Sequence, residues 1–287
     1  MKILVVGGTG TVGSQVTKNL LKEGHNVRVV TRSAEKIAQL PAGAEGAVAD
    51  LEKPETLPAA FKGADAVFIL NALAPNETEQ GLAAVEAAKN EGVKKIVYLA
   101  VHDLMGAKHV GHFGQKVPVV EAIKASGIDY TILAPNNYFQ NDFWFTDVIK
   151  NYKVYPQPIG GRGITRVDVR DVADAAVNAL TKDGFSGKTY ALNGPDEITG
   201  EKVASVFSKA LGTQVNYAGD DLESWAAQSA QFGMPDWMVK DLKAMYKHFQ
   251  TEDFKASAAE MEAQKEIIGH EPRSFESFVE EHADAFR

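Results

Sequence analysis

The feature that most constrains the fold of this chain is a glycine-rich turn near its start. An apolar run at residues 3–6 leads into residues 7–13, where glycines stand at positions 7, 10 and 13, and helical spacing follows from Ser14. A strand, a glycine turn and a helix in this order predict the first βαβ unit of a nucleotide-binding fold. Glycine lets backbone N–H groups approach a phosphate, and the helix N-terminus attracts the anion. The candidate phosphate-binding residues are Gly7, Thr9, Gly10, Thr11, Val12 and Gly13.

Strand-like and helical segments alternate beyond this turn. Apolar or β-branched runs recur at residues 27–32, 45–49, 66–70, 95–100 and 130–134, with helical spacing between them. This alternation predicts an α/β fold with a doubly wound parallel sheet. Ligands of such sheets bind at the carboxyl ends of the strands, so we expect a site near residues 7–13, 32, 50–51, 71–73 and 100–103.

The end of the second strand bears on the choice of cofactor. An acidic side chain at this place binds ribose hydroxyls, whereas an arginine accommodates a 2′-phosphate. The chain has Arg32 here, with Ser33 beside it and Lys36 one turn later. A solvated arginine is the alternative interpretation. With the glycine turn upstream, these residues favour NADP(H) over NAD(H), with Arg32 and Lys36 as phosphate ligands.

Composition excludes several classes of function. The formal net charge of −8 argues against non-specific nucleic-acid binding, which needs a basic surface. There are no cysteines, so disulfides and thiolate sites are excluded. No signal peptide and no apolar run of membrane-spanning length is recognisable, which predicts a cytoplasmic protein without a membrane partner.

Histidines cluster in the segment after the fifth strand. His109 and His112 have a spacing compatible with metal ligation, and His102 and Asp103 lie nearby. Histidines in a glycine-containing loop beside a nucleotide site are more often hydrogen-bonding or solvent-facing groups. We therefore predict no metal site.

Several segments together resemble the NmrA-like family of atypical short-chain dehydrogenases/reductases. The resemblance spans nearly the whole chain and is more specific in combination than in any single piece. The matching segments are residues 7–13, 27–32, 132–141 (Ile-Leu-Ala-Pro-Asn-Asn-Tyr-Phe-Gln-Asn), 167–173 and 187–190, with His112, Phe113 and Lys116 between them.

The resemblance implies an NADP-binding Rossmann domain over residues 1–155, to which residues 164–182 return, and a smaller, mainly helical C-terminal substrate lobe over residues 156–287. It implies that Asp50 and Leu51 bracket the adenine and that Asn71 and Ala72 lie along the cofactor. Lys116 would reach the nicotinamide ribose. The residues expected to close over the nicotinamide are Tyr138, Phe139, Gln140 and Asn141.

The chain departs from the wider superfamily at the catalytic positions. Ala100 and Val101 stand where a serine is typical, and His112 stands four residues before Lys116 in place of a tyrosine. Residues at i and i+4 share a helix face, so His112 and Lys116 are the candidate catalytic pair, with an imidazole in the role of the phenol. A helix cap is an equally good interpretation of His112.

Aromatic residues follow the sixth strand. Tyr138, Phe139, residues 143–145, Tyr152 and Tyr155 either line a flat pocket for an aromatic substrate or pack between lobe and sheet. The leading hypothesis is an NADPH-dependent oxidoreductase, similar to quinone oxidoreductases, that reduces a small aromatic, quinone-like or carbonyl/enone substrate by hydride transfer, as a monomer or homodimer. The rival is a non-catalytic NADP(H)-sensing regulator. A sugar-nucleotide epimerase is disfavoured because the Tyr-x-x-x-Lys motif is absent.

Overall fold

The computed structural model describes all 287 residues and contains nine strands. In chain order these are β1 (Lys2–Val5), β2 (Asn26–Thr31), β3 (Glu45–Val48), β4 (Ala66–Ile69), β5 (Lys95–Leu99), β6 (Asp129–Pro135), β7 (Val154–Tyr155), β8 (Lys188–Leu192) and β9 (Asn216–Tyr217). Seven of them form one parallel sheet in the order β3-β2-β1-β4-β5-β6-β8, and β7 and β9 form a separate parallel pair. The predicted doubly wound parallel sheet is confirmed.

The central strands are apolar along their whole length because helices cover both faces of the sheet. Ile3, Leu4 and Val5 of β1 have no exposed surface, and all four residues of β4 are equally buried. The sequences of parallel strands covered on both sides are continuous apolar runs rather than alternating patterns. Strand order reverses between β1 and β4, so a crevice opens at the carboxyl ends of these two strands.

Thirteen α-helices surround the strands. In chain order they are α1 (Thr11–Lys22), α2 (Ala34–Ile37), α3 (Leu57–Phe61), α4 (Glu77–Asn90), α5 (Gly111–Gly114), α6 (Lys116–Ala125), α7 (Thr146–Tyr152), α8 (Val169–Thr181), α9 (Gly200–Leu211), α10 (Leu222–Gln231), α11 (Asp236–Thr251), α12 (Ala258–Ile268) and α13 (Phe275–Glu281). Three 3-10 helices lie at Pro54–Thr56, Phe139–Phe145 and Ala283–Phe286. No helix combines the length and the apolar character that crossing a membrane requires.

The helices divide between the two faces of the sheet and a separate apolar core. Helices α1, α8 and α12 pack together on one face, and α3, α4 and α6 pack together on the other. A third core, which we call the lobe core, joins α7, α9, α11, α13 and the segment between β5 and α5. The sheet and its covering helices therefore include chain from both ends of the sequence.

One local detail differs from the sequence-based expectation. The sequence predicts His112 and Lys116 on one helix, but the helix is interrupted at Gln115, and α6 begins at Lys116. Pro118 explains the interruption because its ring has no N–H and crowds the carbonyl four residues earlier. The two tryptophans of the C-terminal helices differ in burial. Trp225 packs edge-on against Tyr246 with ring centroids 4.9 Å apart, whereas Trp237 is 37% exposed and lies at the surface.

Candidate active site

The glycine turn is built for close backbone approach. Gly7 has φ +77°, and a side chain there would lie 2.8 Å from the Leu70 carbonyl at the end of β4. A side chain on Gly13 would lie 2.7 Å from the Gly8 Cα. The N–H groups of Thr11, Val12 and Gly13 have no acceptor within the protein, and no acidic residue occupies the first turn of α1. This helix start therefore presents free donors and a positive helix dipole to the crevice.

A cleft of about 510 Å³ runs from this turn across the ends of β2 and β3. Arg32 and Lys36 lie at its edge, and neither side chain forms an ion pair or a hydrogen bond within the chain. The predicted residues that line this cleft are Gly7, Thr9, Gly10, Arg32, Lys36, Asp50, Leu51 and Ala72. We call it the glycine cleft. Thr11, Val12 and Gly13 form the first turn of α1 and are not among the residues that line this cleft.

A second, apolar cavity of about 210 Å³ adjoins the glycine cleft. Leu70 and Leu73, at the end of β4, line both spaces, so the two are neighbours at the strand-order reversal. Lys116, His112, Asn71, Tyr138 and Asn141 of the predicted site line this apolar cavity. Its remaining wall comes largely from the lobe, including Trp144, Leu242, Met245, Tyr246, Phe249 and Phe254.

Lys116 is held in the cavity wall by a buried carboxylate. Its ammonium donates to Glu77 on α4, and both side chains are nearly inaccessible to solvent. Burial raises the pKa of Glu77 above its ordinary value, although the charge of Lys116 opposes the shift. The second Glu77 oxygen and the Asn71 side-chain oxygen are buried without a partner. Two acceptors therefore remain unsatisfied beside the cavity.

His112 is held from the opposite side by the lobe. Asp241 on α11 accepts the His112 backbone N–H at 3.0 Å and also contacts the imidazole Nδ1. The Nε2 atom has no partner in the protein and is not among the buried unsatisfied atoms. His112 and Lys116 thus share the cavity, each fixed by a carboxylate from a different helix.

The aromatic residues after β6 separate into two groups. Tyr138 and Trp144 line the apolar cavity, and burial raises the pKa of the Tyr138 phenol well above its ordinary value. Phe139 and Tyr155 are completely buried in the lobe core, and Tyr152 is 74% exposed. Phe139 and Gln140 line neither cavity, and Gln140 donates to Asp168 at 2.9 Å.

A buried arginine fixes the loop that carries Tyr138. Arg166 has no exposed surface and donates to the Tyr138 carbonyl at 2.7 Å and to Asp142 at 2.8 Å. It also donates to the Asn137 side chain at 3.1 Å. Arg166 and Asp142 therefore form a buried ion pair that orders residues 137–142 beneath the cavity.

The histidines considered for a metal site point to different partners. The His102 Nε2 lies 3.2 Å from the Lys255 carbonyl, whereas His109 packs against the ring of His248 and His112 contacts Asp241. The one group of three residues with metal-ligand geometry lies elsewhere, at Asp171, Asp174 and His270. The guanidinium of Arg273 already contacts both of these carboxylates.

Sequence reasoning missed the lobe residues and one buried acid. Glu77 is the first residue of α4, and acidic residues are common at a helix start without any other role. Asp241 and Tyr246 lie in a helical stretch with no motif. Asp241 is 129 residues beyond His112 in the sequence. Neither carries a local signal that distinguishes it from an ordinary helical residue.

Comparison with known proteins identifies the family and the fold. The sequence model of the NmrA-like family matches residues 1–279. The chain is 32% identical over 291 residues to an NAD(P)H azoreductase from Xenophilus azovorans, with 99% of each chain covered. Its fold matches the NADPH-dependent quinone oxidoreductase of Escherichia coli, solved with NADPH, at a TM-score of 0.87 and 23% identity, covering 97% of this chain and 99% of that one. It also matches NmrA, a negative transcriptional regulator solved with NADP, at a TM-score of 0.79 and 18% identity, covering 98% and 94%. At these identities the two structural likenesses establish the fold.

Proposed function

The chain belongs to the NmrA-like family, and we propose that it is an NADPH-dependent reductase of small, flat, unsaturated acceptors. The observation that carries the proposal is the adjacency of two spaces of different character. A cleft with free backbone donors and unpaired cations adjoins an apolar cavity that contains a lysine and a histidine. The first suits a phosphorylated dinucleotide, and the second suits an aromatic acceptor.

The residues of the glycine cleft fit NADP(H). The free N–H groups of Thr11, Val12 and Gly13 would bind the pyrophosphate at the start of α1. Arg32 and Lys36 would bind the 2′-phosphate, since neither cation is paired within the chain. The unpartnered oxygen of Asn71, between the two spaces, is an acceptor that a cofactor can satisfy. When bound, NADPH supplies the hydride.

Within the cavity, Lys116 and His112 are the proposed catalytic groups. Lys116, paired with Glu77, would hold the ribose and stabilise negative charge that develops on an acceptor oxygen. His112 would supply the proton that completes the reduction. Tyr138 is a further hydroxyl in the wall, and its raised pKa keeps it a neutral hydrogen-bond donor.

The lining of the cavity favours quinone, azo or enone acceptors. Such compounds accept hydride without a strong protein acid, which suits a chain with Ala100 and Val101 at the serine position. Trp144 and Tyr246 offer flat apolar faces to a planar ring. Azo compounds, the acceptors of the azoreductase relative, belong to this chemical class.

A second candidate is a regulator that binds NADP(H) without turnover. The absence of the serine and of the tyrosine before Lys116 favours it, and one structural neighbour is a transcriptional regulator solved with NADP. Both candidates predict NADP(H) binding in the glycine cleft, so binding alone does not distinguish them.

The decisive experiment is an NADPH oxidation screen at 340 nm against quinones, enones and azo dyes. The reductase predicts acceptor-dependent NADPH loss that the Lys116→Met variant diminishes. NADPH binding, measured by calorimetry, without turnover on any acceptor would favour the regulator. Failure to bind either nicotinamide cofactor would contradict both.

A further inference from the structure

We infer that Asp241 is the positioning residue for His112 and that it makes the lobe helix α11 a part of the proton-donating machinery. The inference rests on the proposed reductase function and extends it to a residue outside the sheet. Asp241 would fix the imidazole with Nδ1 toward its carboxylate and Nε2 toward the cavity. The lobe would thereby complete the active site rather than only enclose the acceptor.

The contact between Asp241 and His112 is doubly specified. One carboxylate oxygen accepts the His112 backbone N–H at 3.0 Å, and the other contacts the ring Nδ1. Both side chains are largely shielded from solvent. A charge-assisted pair with two anchor points fixes the ring plane as well as its position.

Gly111 provides the room for this carboxylate. A side chain on Gly111 would collide with Oδ1 of Asp241, although the backbone of Gly111 needs no glycine-specific conformation. The glycine is thus explained by the approach of Asp241 and not by the turn itself. The glycine and the aspartate belong to one arrangement, assembled from two distant parts of the chain.

The chemistry requires one proton that hydride transfer does not deliver. Hydride transfer to a quinone-like acceptor adds two electrons and one hydrogen, and leaves an oxyanion on the acceptor. The His112 imidazolium gives its Nε2 proton to that oxygen, so an N–H bond breaks and an O–H bond forms. The neutral ring keeps the proton on Nδ1, which donates a hydrogen bond to Asp241. Solvent then restores the proton on Nε2. The carboxylate at Nδ1 holds the ring in the orientation that directs Nε2 to the oxyanion.

Other charged groups near His112 define the controls. Asp241 on α11 contacts His112, and the charged groups that line the apolar cavity with His112 are Glu77 on α4 and Lys116 on α6. They remain unchanged in Asp241→Asn, which keeps the size of the side chain and an oxygen for the backbone N–H but removes the negative charge. If the contact were purely structural, the activity would survive this change. If Asp241 positions His112, the activity should fall.

The test compares the pH dependence of kcat/KM for wild type and Asp241→Asn on one quinone, together with ¹⁵N NMR of the histidine rings. We expect kcat/KM to fall at least about tenfold at neutral pH, and the pH profile of the variant to differ from that of wild type. The spectra should show a protonated Nδ1 on His112 in wild type and a changed ring state in the variant. If wild type is active and Asp241→Asn changes neither the pH profile nor the state of the His112 ring, the inference about Asp241 is wrong. The proposed reductase function would be unaffected by that result.

A second variant keeps both residues but separates them. Gly111→Ala should displace the Asp241 carboxylate and reproduce the pH profile of Asp241→Asn. Gly161→Ala should not, because a side chain at Gly161 meets open space. Equal behaviour of these two variants would overturn the inference. A wild type without turnover on any acceptor would overturn the proposed function itself, and with it the catalytic role of Asp241.

Discussion

Lys116 on α6 and Glu77 on α4 form an ion pair that is almost completely removed from solvent at the wall of the apolar cavity. One Glu77 oxygen contacts the ammonium and the other has no partner. Such a pair is costly to bury and still more costly to break, because removing one member leaves the other charge without compensation. The proposed catalytic lysine is therefore also a structural group.

Removing the lysine alone is expected to destabilise the protein. Lys116→Met should lower the free energy of unfolding by about 3–5 kcal/mol, because Glu77 then stays buried without its counter-charge. The double variant Glu77→Gln/Lys116→Met should recover most of this loss. Urea unfolding followed by circular dichroism measures both. As a control, Lys202→Met breaks an exposed pair with Glu276 and should change stability by less than about 1 kcal/mol.

The catalytic role of Lys116 is best measured in that compensated background. Relative to wild type, the double variant Glu77→Gln/Lys116→Met should lose about 100-fold in kcat on a quinone, since a cation facing a developing oxyanion contributes on this scale. The Kd for NADPH should rise much less than kcat falls. Steady-state kinetics and calorimetry give the two values. Equal losses in turnover and in NADPH affinity would assign Lys116 to cofactor binding only.

The fold was predictable because its signals are local. The continuous apolar runs of β1 and β4, the glycine turn between β1 and α1, and the regular alternation with helices each lie within a short window. The interruption at Gln115 was less visible, because the effect of Pro118 depends on where the helix begins.

The glycine cleft was predictable for the same reason, and the apolar cavity was not. Residues after consecutive parallel strands meet at one sheet edge by topology alone, which brought Arg32, Asp50 and Ala72 together. The wall formed by Leu242 and Tyr246 comes from an amphipathic helix whose docking position no local pattern specifies. Glu77 and Asp241 were missed because ordinary helix acids look the same in sequence.

Cofactor preference tests the unpaired cations of the glycine cleft. Wild type should bind NADPH more tightly than NADH, and Arg32→Ala should remove most of this preference. Loss of a charge-assisted hydrogen bond of about 1.5–3 kcal/mol corresponds to roughly 10–100-fold weaker NADPH binding with NADH affinity nearly unchanged. Fluorescence titration with both cofactors measures the effect. Lys36→Ala should show a smaller change in the same direction. Tighter binding of NADH by wild type would contradict the assignment of Arg32.

The Arg166–Asp142 pair tests how the loop beneath the cavity is held. Arg166→Met should lower the free energy of unfolding by about 3–5 kcal/mol, because Asp142 is fully buried and loses its only cation. Burial raises the pKa of Asp142. Because of the same burial, no solvent can take the place of the arginine beside this carboxyl. Asp142→Asn/Arg166→Met should recover part of the loss. Thermal unfolding measures both. A single variant as stable as wild type would show that the loop does not depend on this pair.

Acid sensitivity tests the buried imidazole of His248. Both ring nitrogens of His248 are buried without partners, and burial lowers its pKa below the ordinary value near 6.5. The surrounding titratable groups are His109, His102, Asp103 and Glu252. In the folded protein the ring binds its proton only at a lower pH than in the unfolded chain, where it does so below about pH 6.5. The unfolded state then holds more protons, so stability must decrease as pH falls below that value.

We therefore expect His248→Phe to flatten the stability curve between about pH 6.5 and 5. One proton contributes at most about 1.4 kcal/mol per pH unit, and this part of the slope should disappear. At pH 8 the variant should be at least as stable as wild type, because it removes two unsatisfied nitrogens from an aromatic cluster that includes Phe254. Urea unfolding at several pH values gives the slopes, with His25→Gln outside the core as the control. If His248→Phe leaves the acid slope unchanged, the proton uptake belongs to other groups, and His102, whose pKa burial also lowers, is the next to replace.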